Sequence, residues 1–521
     1  MTASDDPQPS REPTYVTAEL DEAVRRGTRW AMVAQAASQL VSLVVLAVVY
    51  RWVDPAQFGL LGMVVPLLLL AKIFSSLGLH VATVQRRDVS SDQLSAAFWL
   101  GVAVSVCVAL AMCAAGPALG WFYNTPAVSH VTMALAGTLV IAACGAQHQA
   151  LLERRLQVGR LATIRLLAQC GGGVVGIGVA VAGLGVWALV AQQYAELLIL
   201  AALAWYAEAW RPNRPTRVAA LGGMLQFGGY YTLSSLFFYV AQNSDKVLLA
   251  WWLGGTPQGD AALGMYSQAF NLMMKPVYVV SSPLTGIMLP ALSRAAHAPA
   301  EFAELVGRFF RMTCIVLLPA GIGLMWVSSD VMQVLGGNAW QPAGAMLLAL
   351  APTILVQGLI NISGSVLAAA GRADRLCWGA LVTAIVLALA CVAGGIVAHM
   401  QSDAADHIAL GVAWGYTIAS TLLLGVPYLV FVLRSVHISV RHVARPLARS
   451  CVAALAMGIF AGCVQVGLAY ANVGILTRLI LCLVAGVVSY VLIARSELRW
   501  LTSQFQVQDV HETPKTRERL H

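Results

Sequence analysis

Charge is what this sequence has least of. Asp, Glu, Lys and Arg make up 11% of its 521 residues, less than half of the roughly 25% found in soluble domains. So few charges cannot cover a water-facing surface. The chain also has little cysteine in useful spacing. Its ten cysteines form no CxxC pair and no cluster with histidine, which argues against a disulfide framework or a metal site. No nucleophile, base and orienting residue come together in the sequence, and Gly171-Gly172-Gly173 lacks the Lys-Ser/Thr that completes a phosphate loop. No cofactor, no metal and no enzymatic chemistry are expected. Residues 1–27 are polar and mixed in charge, without the apolar stretch of a signal peptide, and read as a cytoplasmic tail.

What the chain does have is hydrophobic length. Apolar residues account for 59% of it, with mean hydropathy +0.74. A bilayer core of about 30 Å takes about 20 apolar residues per helix. Runs of that kind recur at 28–50, 58–79, 93–119, 127–150, 162–182, 185–207, 224–253, 262–292, 303–328, 342–369, 374–398, 408–433, 444–470 and 474–494. The expected fold is therefore all-α and integral to the membrane, with about 14 transmembrane helices. The paired spans around Gly183 and Asn472 are joined by the shortest turns.

The basic residues test that layout. With both termini cytoplasmic, 27 of the 32 Lys and Arg fall on the cytoplasmic side, and only Arg51 and Arg478 on the other. Such a bias is what the positive-inside rule predicts. The loops on the far side are short; the longest, Ser329–Gln341, has about thirteen residues. A membrane glycosyltransferase or polymerase would need more outside the bilayer.

A coarse repeat runs through the chain. Phe58-Gly59-Leu60-Leu61-Gly62-Met63 matches Leu263-Gly264-Met265-Tyr266 about 205 residues later. Val158-Gly159-Arg160-Leu161 matches the segment from Ala370-Gly371-Arg372, and Leu184-Gly185-Val186-Trp187 matches Leu410-Gly411-Val412-Ala413-Trp414. Three matches in order divide the chain into a tail (1–27), an N-lobe (28–207), a cytoplasmic linker (208–223), a C-lobe (224–433), two further spans (434–494) and a cytoplasmic tail (495–521). Two six-span lobes with the same orientation can rock about a central cavity.

Polar residues inside the spans mark that cavity, because an ionisable side chain at mid-membrane costs about 2.5–3.5 kcal/mol. In the eighth span Gln268, Asn271, Lys275, Tyr278 and Ser282 share one helical face. Pro276, Pro283 and Pro290 in the same span predict kinks or loosened backbone. The seventh span aligns Ser235, Tyr239, Gln242 or Asn243, and Lys246. Asp245, next to Lys246, is expected to point elsewhere rather than pair with it. The first span contributes Gln35, Ser38, Gln39 and Ser42; the second, Lys72 with Ser75 and Ser76; the sixth, Gln192 and Glu196; the tenth, Gln357 and Asn361. Three lysines against Asp245 and Glu196 give a neutral to cationic cavity suited to an anionic cargo. Asp245 and Glu196 are the candidates for ion coupling. Gly171–Gly173 with Gly176, like Gly458 and Gly462, read as close helix contacts.

The stretch Phe58–Leu100 (FGLLGMV, VQRRD, AAFWL), Trp121-Phe122-Tyr123-Asn124, Gly185-Val186-Trp187-Ala188-Leu189 and Asn243-Ser244-Asp245-Lys246 resemble the polysaccharide exporters of the colanic-acid and O-unit flippase type. These belong to the multidrug/oligosaccharidyl-lipid/polysaccharide (MOP) superfamily, and the likeness covers roughly residues 25–430. The resemblance implies a V-shaped pair of six-helix lobes plus two C-terminal helices, in a bacterial inner membrane. It implies a lipid-linked oligosaccharide cargo carried on undecaprenyl diphosphate, and polysaccharide polymerase or export machinery as partners; nucleic acid is not among them. The alternatives are a drug or metabolite antiporter of the same fold and a peptidoglycan-precursor flippase. The first span lacks the buried acid associated with many drug antiporters of the superfamily.

Overall fold

The computed structural model describes residues 14–85, 89–214, 232, 236, 239 and 243–510. Among them are helices and turns and no strand. In chain order the helices are α1 (Thr14–Trp52), α2 (Pro55–Ser76), α3 (Leu79–Gln85), α4 (Ser91–Phe122), α5 (Pro126–Arg154), α6 (Val158–Val181) and α7 (Val186–Ala207). Residues 243–253 form α8. There follow α9 (Pro257–Ala295), α10 (Pro299–Gly336), α11 (Gln341–Leu350), α12 (Thr353–Ala369), α13 (Ala373–His399), α14 (Ala405–Ile418), α15 (Val426–Ser435), α16 (Val440–Tyr470), α17 (Ile475–Ile493) and α18 (Arg495–Val510).

Local chemistry sets the starts. Proline occupies the first turn of α2, α5, α9 and α10, where its missing N–H costs nothing. A capping box between Ser90 and Gln93 starts α4. The short turns expected at Gly183 and Asn472 are both present, each with positive φ (77° and 51°).

Among the described residues, eleven helical segments are long and apolar enough to span a bilayer, and the pair α11–α12, bent by 56°, makes a twelfth if taken as one. All twelve coincide with expected spans. The seventh span falls largely outside the described residues. The eighth is α9, a helix of 39 residues, more than enough at about 1.5 Å per residue to cross a bilayer core of about 30 Å. The count of fourteen is thus a proposal beyond the twelve. α9 is a single helical segment that includes Pro276, Pro283 and Pro290. The C-terminal tail begins with a helix, α18, that its polar sequence did not announce.

Close packing explains the glycines. A Cβ on Gly172 would lie 2.7 Å from the Glu196 Cβ, and one on Gly173 only 2.5 Å from Val45, so α6 seats against α7 and α1. Gly458 and Gly462 admit Ile322 and Trp326 of α10 in the same way. The expectation of helix contacts at both places is met.

The two repeat motifs meet each other. A Cβ on Gly59 would fall 1.9 Å from the Asp260 carbonyl oxygen, and one on Gly264 2.0 Å from the Pro55 carbonyl oxygen. Pro55 precedes Gly59 by the interval at which Asp260 precedes Gly264, so the contact is reciprocal about a pseudo-twofold axis. Around it, the Tyr50 and Trp340 rings stack 4.0 Å apart, Phe58 packs edge-on to both, and Trp340 Nε1 donates to the Tyr50 carbonyl at 3.1 Å. Gly254 and Gly255 press on Tyr123 and Asn124. This end of the molecule, where the loops carry little charge, is sealed between lobes.

The only two basic residues expected on that side both have partners on α10. Arg51 Nη2 donates to the Val334 carbonyl at 3.0 Å. Arg478 holds Asp330 in a bidentate pair, with Nε 2.8 Å from Oδ2, while Gln465 Nε2 donates to the same oxygen at 2.7 Å. At the opposite end, Arg311 of α10 pairs with Glu497 of α18 at 2.9 Å and lies over the Trp500 ring. α10 is therefore fastened to the C-terminal helices at both ends.

Candidate functional site

The polar face of α9 changes character along its length. Gln268 is buried and accepts from the Tyr50 hydroxyl at 3.0 Å, beneath the seal. Beyond it Asn271 is exposed, Lys275 half-buried and Tyr278 exposed. One helical face thus passes from the closed junction into open space as it approaches the end bearing the basic loops. Lys275 Nζ donates to Ser42 Oγ at 2.7 Å, joining α9 to α1 across the lobes.

The first-span stripe divides. Ser42 meets Lys275, whereas Ser38 donates to Gln169 of α6, and Gln169 Nε2 returns a bond to the Ser38 carbonyl at 3.1 Å. Gln35 and Gln39 are half-buried.

Lys246 and Asp245 differ from expectation. Lys246 Nζ lies 3.6 Å from Asp245 Oδ1 and 3.8 Å from the Phe270 ring centroid. Asp245 also accepts from the buried Tyr266 hydroxyl at 2.8 Å. Both charges are buried (8% and 2% exposed), and a buried charge left without a partner is costly. Adjacent positions on a helix were expected to diverge; burial brings these two together. Asn243 Nδ2 donates to the Tyr239 carbonyl at 3.1 Å, and the Tyr239 hydroxyl to the Pro66 carbonyl of α2. Gln242 and Ser235 lie outside the described residues. Deeper in the C-lobe the buried Gln357 donates to the Tyr416 hydroxyl at 2.6 Å, and Asn361, one turn on, is half-buried.

Lys72 stands apart from the other two lysines. It is exposed on α2 and lines a cavity of about 220 Å³ between α2, α3, α4, α5 and α7. Glu196 on α7 is half-buried and within electrostatic reach of it. The structure thus places Lys275 at the lobe junction, Lys246 inside the C-lobe and Lys72 in the N-lobe. They do not form one cluster. Sequence reasoning missed the polar groups that complete the N-lobe cavity, above all His80 and Ser105. Their signal was weak, since each is a single polar residue in an apolar run.

A family model described as "Polysaccharide biosynthesis protein" matches residues 45–345. The lipopolysaccharide biosynthesis protein WzxC of Escherichia coli (strain K12) is 24% identical over 68% of this chain and 72% of its own. The teichuronic acid biosynthesis protein TuaB of Bacillus subtilis (strain 168) is 24% identical over 90% of this chain and 95% of its own. Among solved structures, the lipid II flippase MurJ in an inward closed conformation superposes with a TM-score of 0.69 at 11% identity, covering 91% of this chain and 99% of that one. An inward-facing multidrug resistance MATE transporter of the MOP superfamily gives 0.57 at 15% identity, over 78% of this chain and 99% of its own. The fold is that of these transporters, and by its sequence this multi-pass membrane protein belongs to the polysaccharide biosynthesis protein family.

Proposed function

We propose that this protein is a flippase that moves an undecaprenyl-diphosphate-linked oligosaccharide from the cytoplasmic to the periplasmic leaflet by alternating access, for surface polysaccharide synthesis. The observation that carries this reading is the α9 stripe: closed at Gln268 under the lobe seal, open at Asn271 and Tyr278 towards the basic end. Basic loops favour the cytoplasm, so the termini are cytoplasmic and the cavity faces the leaflet where lipid-linked sugars are assembled. Lys275 and Lys72 supply charge for an anionic cargo, with Asn271, Tyr278, Gln35, Gln39, Asn243 and Asn361 as candidate contacts. Family membership and the flippase neighbour in fold support the cargo class. The protein is a transporter rather than an enzyme. A polymerase or export partner would receive the flipped unit.

The antiporter reading needs a carboxylate available for an ion. Asp245 already holds Lys246 and Tyr266, which counts against it, and leaves Glu196 as the remaining ion-coupling candidate. Deleting the gene tests the proposal: complete sugar units should accumulate on undecaprenyl diphosphate while surface polymer is lost. Unchanged lipid intermediates with normal surface polymer, in a strain without a redundant exporter, would refute it.

A further inference from the structure

The cavity inside the N-lobe lies off the lobe–lobe junction, and its chemistry is specific. Its walls include Lys72, Ser76, His80, Phe98, Ser105 and Gln149. Ser105 is 1% exposed, and its hydroxyl has no hydrogen-bond partner among the described residues. A buried hydroxyl left unmatched costs about 1–3 kcal/mol, so its presence on a cavity wall points to a ligand that completes it.

The charge on the wall follows from geometry. His80 Nδ1 lies 3.1 Å from the Ala146 carbonyl oxygen, and Nε2 lies 2.9 Å from Glu153 Oε2. Both facing atoms are acceptors, so the ring is held between the α5 backbone and the Glu153 carboxylate. Glu153 also accepts from Arg165 at 2.8 Å. Lys72 is the lysine on the wall itself, while Arg165 and Glu153 pair with each other behind it. At about 220 Å³ it is smaller than the sites that hold drug-sized molecules, about 300 Å³ upwards. One ring fits, with an aromatic wall from Phe98 and hydroxyl and amide groups around it.

We propose that this cavity binds a single acidic sugar residue of the cargo, its carboxylate on Lys72 and its hydroxyls on Ser105, Ser76 and Gln149. This rests on the flippase reading and names part of its cargo. The lipid diphosphate offers similar charge, and the diphosphate arm of the test distinguishes the two sources.

The test uses the full chain in lipid nanodiscs and saturation-transfer NMR with methyl glucuronide, methyl glucoside and inorganic diphosphate. The glucuronide should bind about tenfold more tightly than the glucoside, the size of one charge-assisted bond. Lys72→Gln should abolish that preference and Lys72→Arg keep it. Gly101, whose Cβ position meets nothing within 4 Å, lines the same space; Gly101→Leu should fill it and remove binding without unfolding the chain. Equal binding of the two sugars, a preference that survives Lys72→Gln, or binding that survives Gly101→Leu would overturn the proposal. So would diphosphate displacing the glucuronide from Lys72 at lower concentration, which would assign the site to the lipid. Accumulation of lipid-linked units in the deletion strain does not depend on which sugar binds, so the two readings fail separately.

Discussion

Gly59→Ala should open the sealed end. The added Cβ would lie 1.9 Å from the Asp260 carbonyl oxygen, and both atoms belong to helix backbones that cannot swing aside. An ordinary carbon–oxygen contact is over about 3 Å, so α2 and α9 must part by more than about 1 Å at their closest point. Overpacking of this kind costs about 1–3 kcal/mol, and here the cost falls on the closed arrangement alone. Each 1.4 kcal/mol is a factor of ten, so the ratio of open to closed should rise by about 5- to 150-fold. Gly264→Ala should do the same through the Pro55 carbonyl. Because the first substitution already parts the helices, the double variant should fall short of the sum. Gly178→Ala, with nothing within 4 Å of its Cβ, is the matched control. Spin labels attached by a non-cysteine handle at Trp121 and Gln258 would report the change as a new population at longer distance. An unchanged distance distribution in a folded Gly59→Ala protein would refute the claim that this contact is the gate.

Three further outcomes follow from the buried charges. Asp245→Asn removes the carboxylate shared by Lys246 and Tyr266 and should cost about 1–3 kcal/mol; Asp245→Asn with Lys246→Met should recover part of it, read by thermal unfolding in detergent. Asp330→Asn should loosen α17 from α10, seen as faster hydrogen exchange in Ile475–Ile493 with the N-lobe unchanged. Lys275→Met removes the bridge to Ser42 and should cut surface polymer by about tenfold or more, the worth of a charge-assisted bond, at normal protein levels; polymer at the level of the unaltered chain would show that Lys275 carries no cargo.

Much of the fold was legible because the bilayer imposes period and length. Spans, turns at Gly183 and Asn472, and the packing glycines all follow from backbone groups that must be satisfied within each helix. The stripe on α9 was readable for the same reason, since helical spacing fixes which residues share a face. Partners were not readable. Nothing in the spacing of Asp245 and Lys246 shows that burial will bring them together, nor that Arg51 and Arg478 both tie to α10. The division of the lysines among three places depends on how the lobes dock, which is a matter of long-range packing. His80 and Ser105 become informative only when α2, α4, α5 and α7 enclose a space between them.

The central claim is translocation, and reconstitution tests it most directly. Lipid-linked oligosaccharide placed in both leaflets of proteoliposomes can be probed from outside with an impermeant glycosidase. In protein-free vesicles about half should be cleaved, the share in the outer leaflet of the bilayer. With the protein present, cleavage should run to completion as the inner pool is flipped outwards. A plateau at half in vesicles containing folded protein would contradict the account.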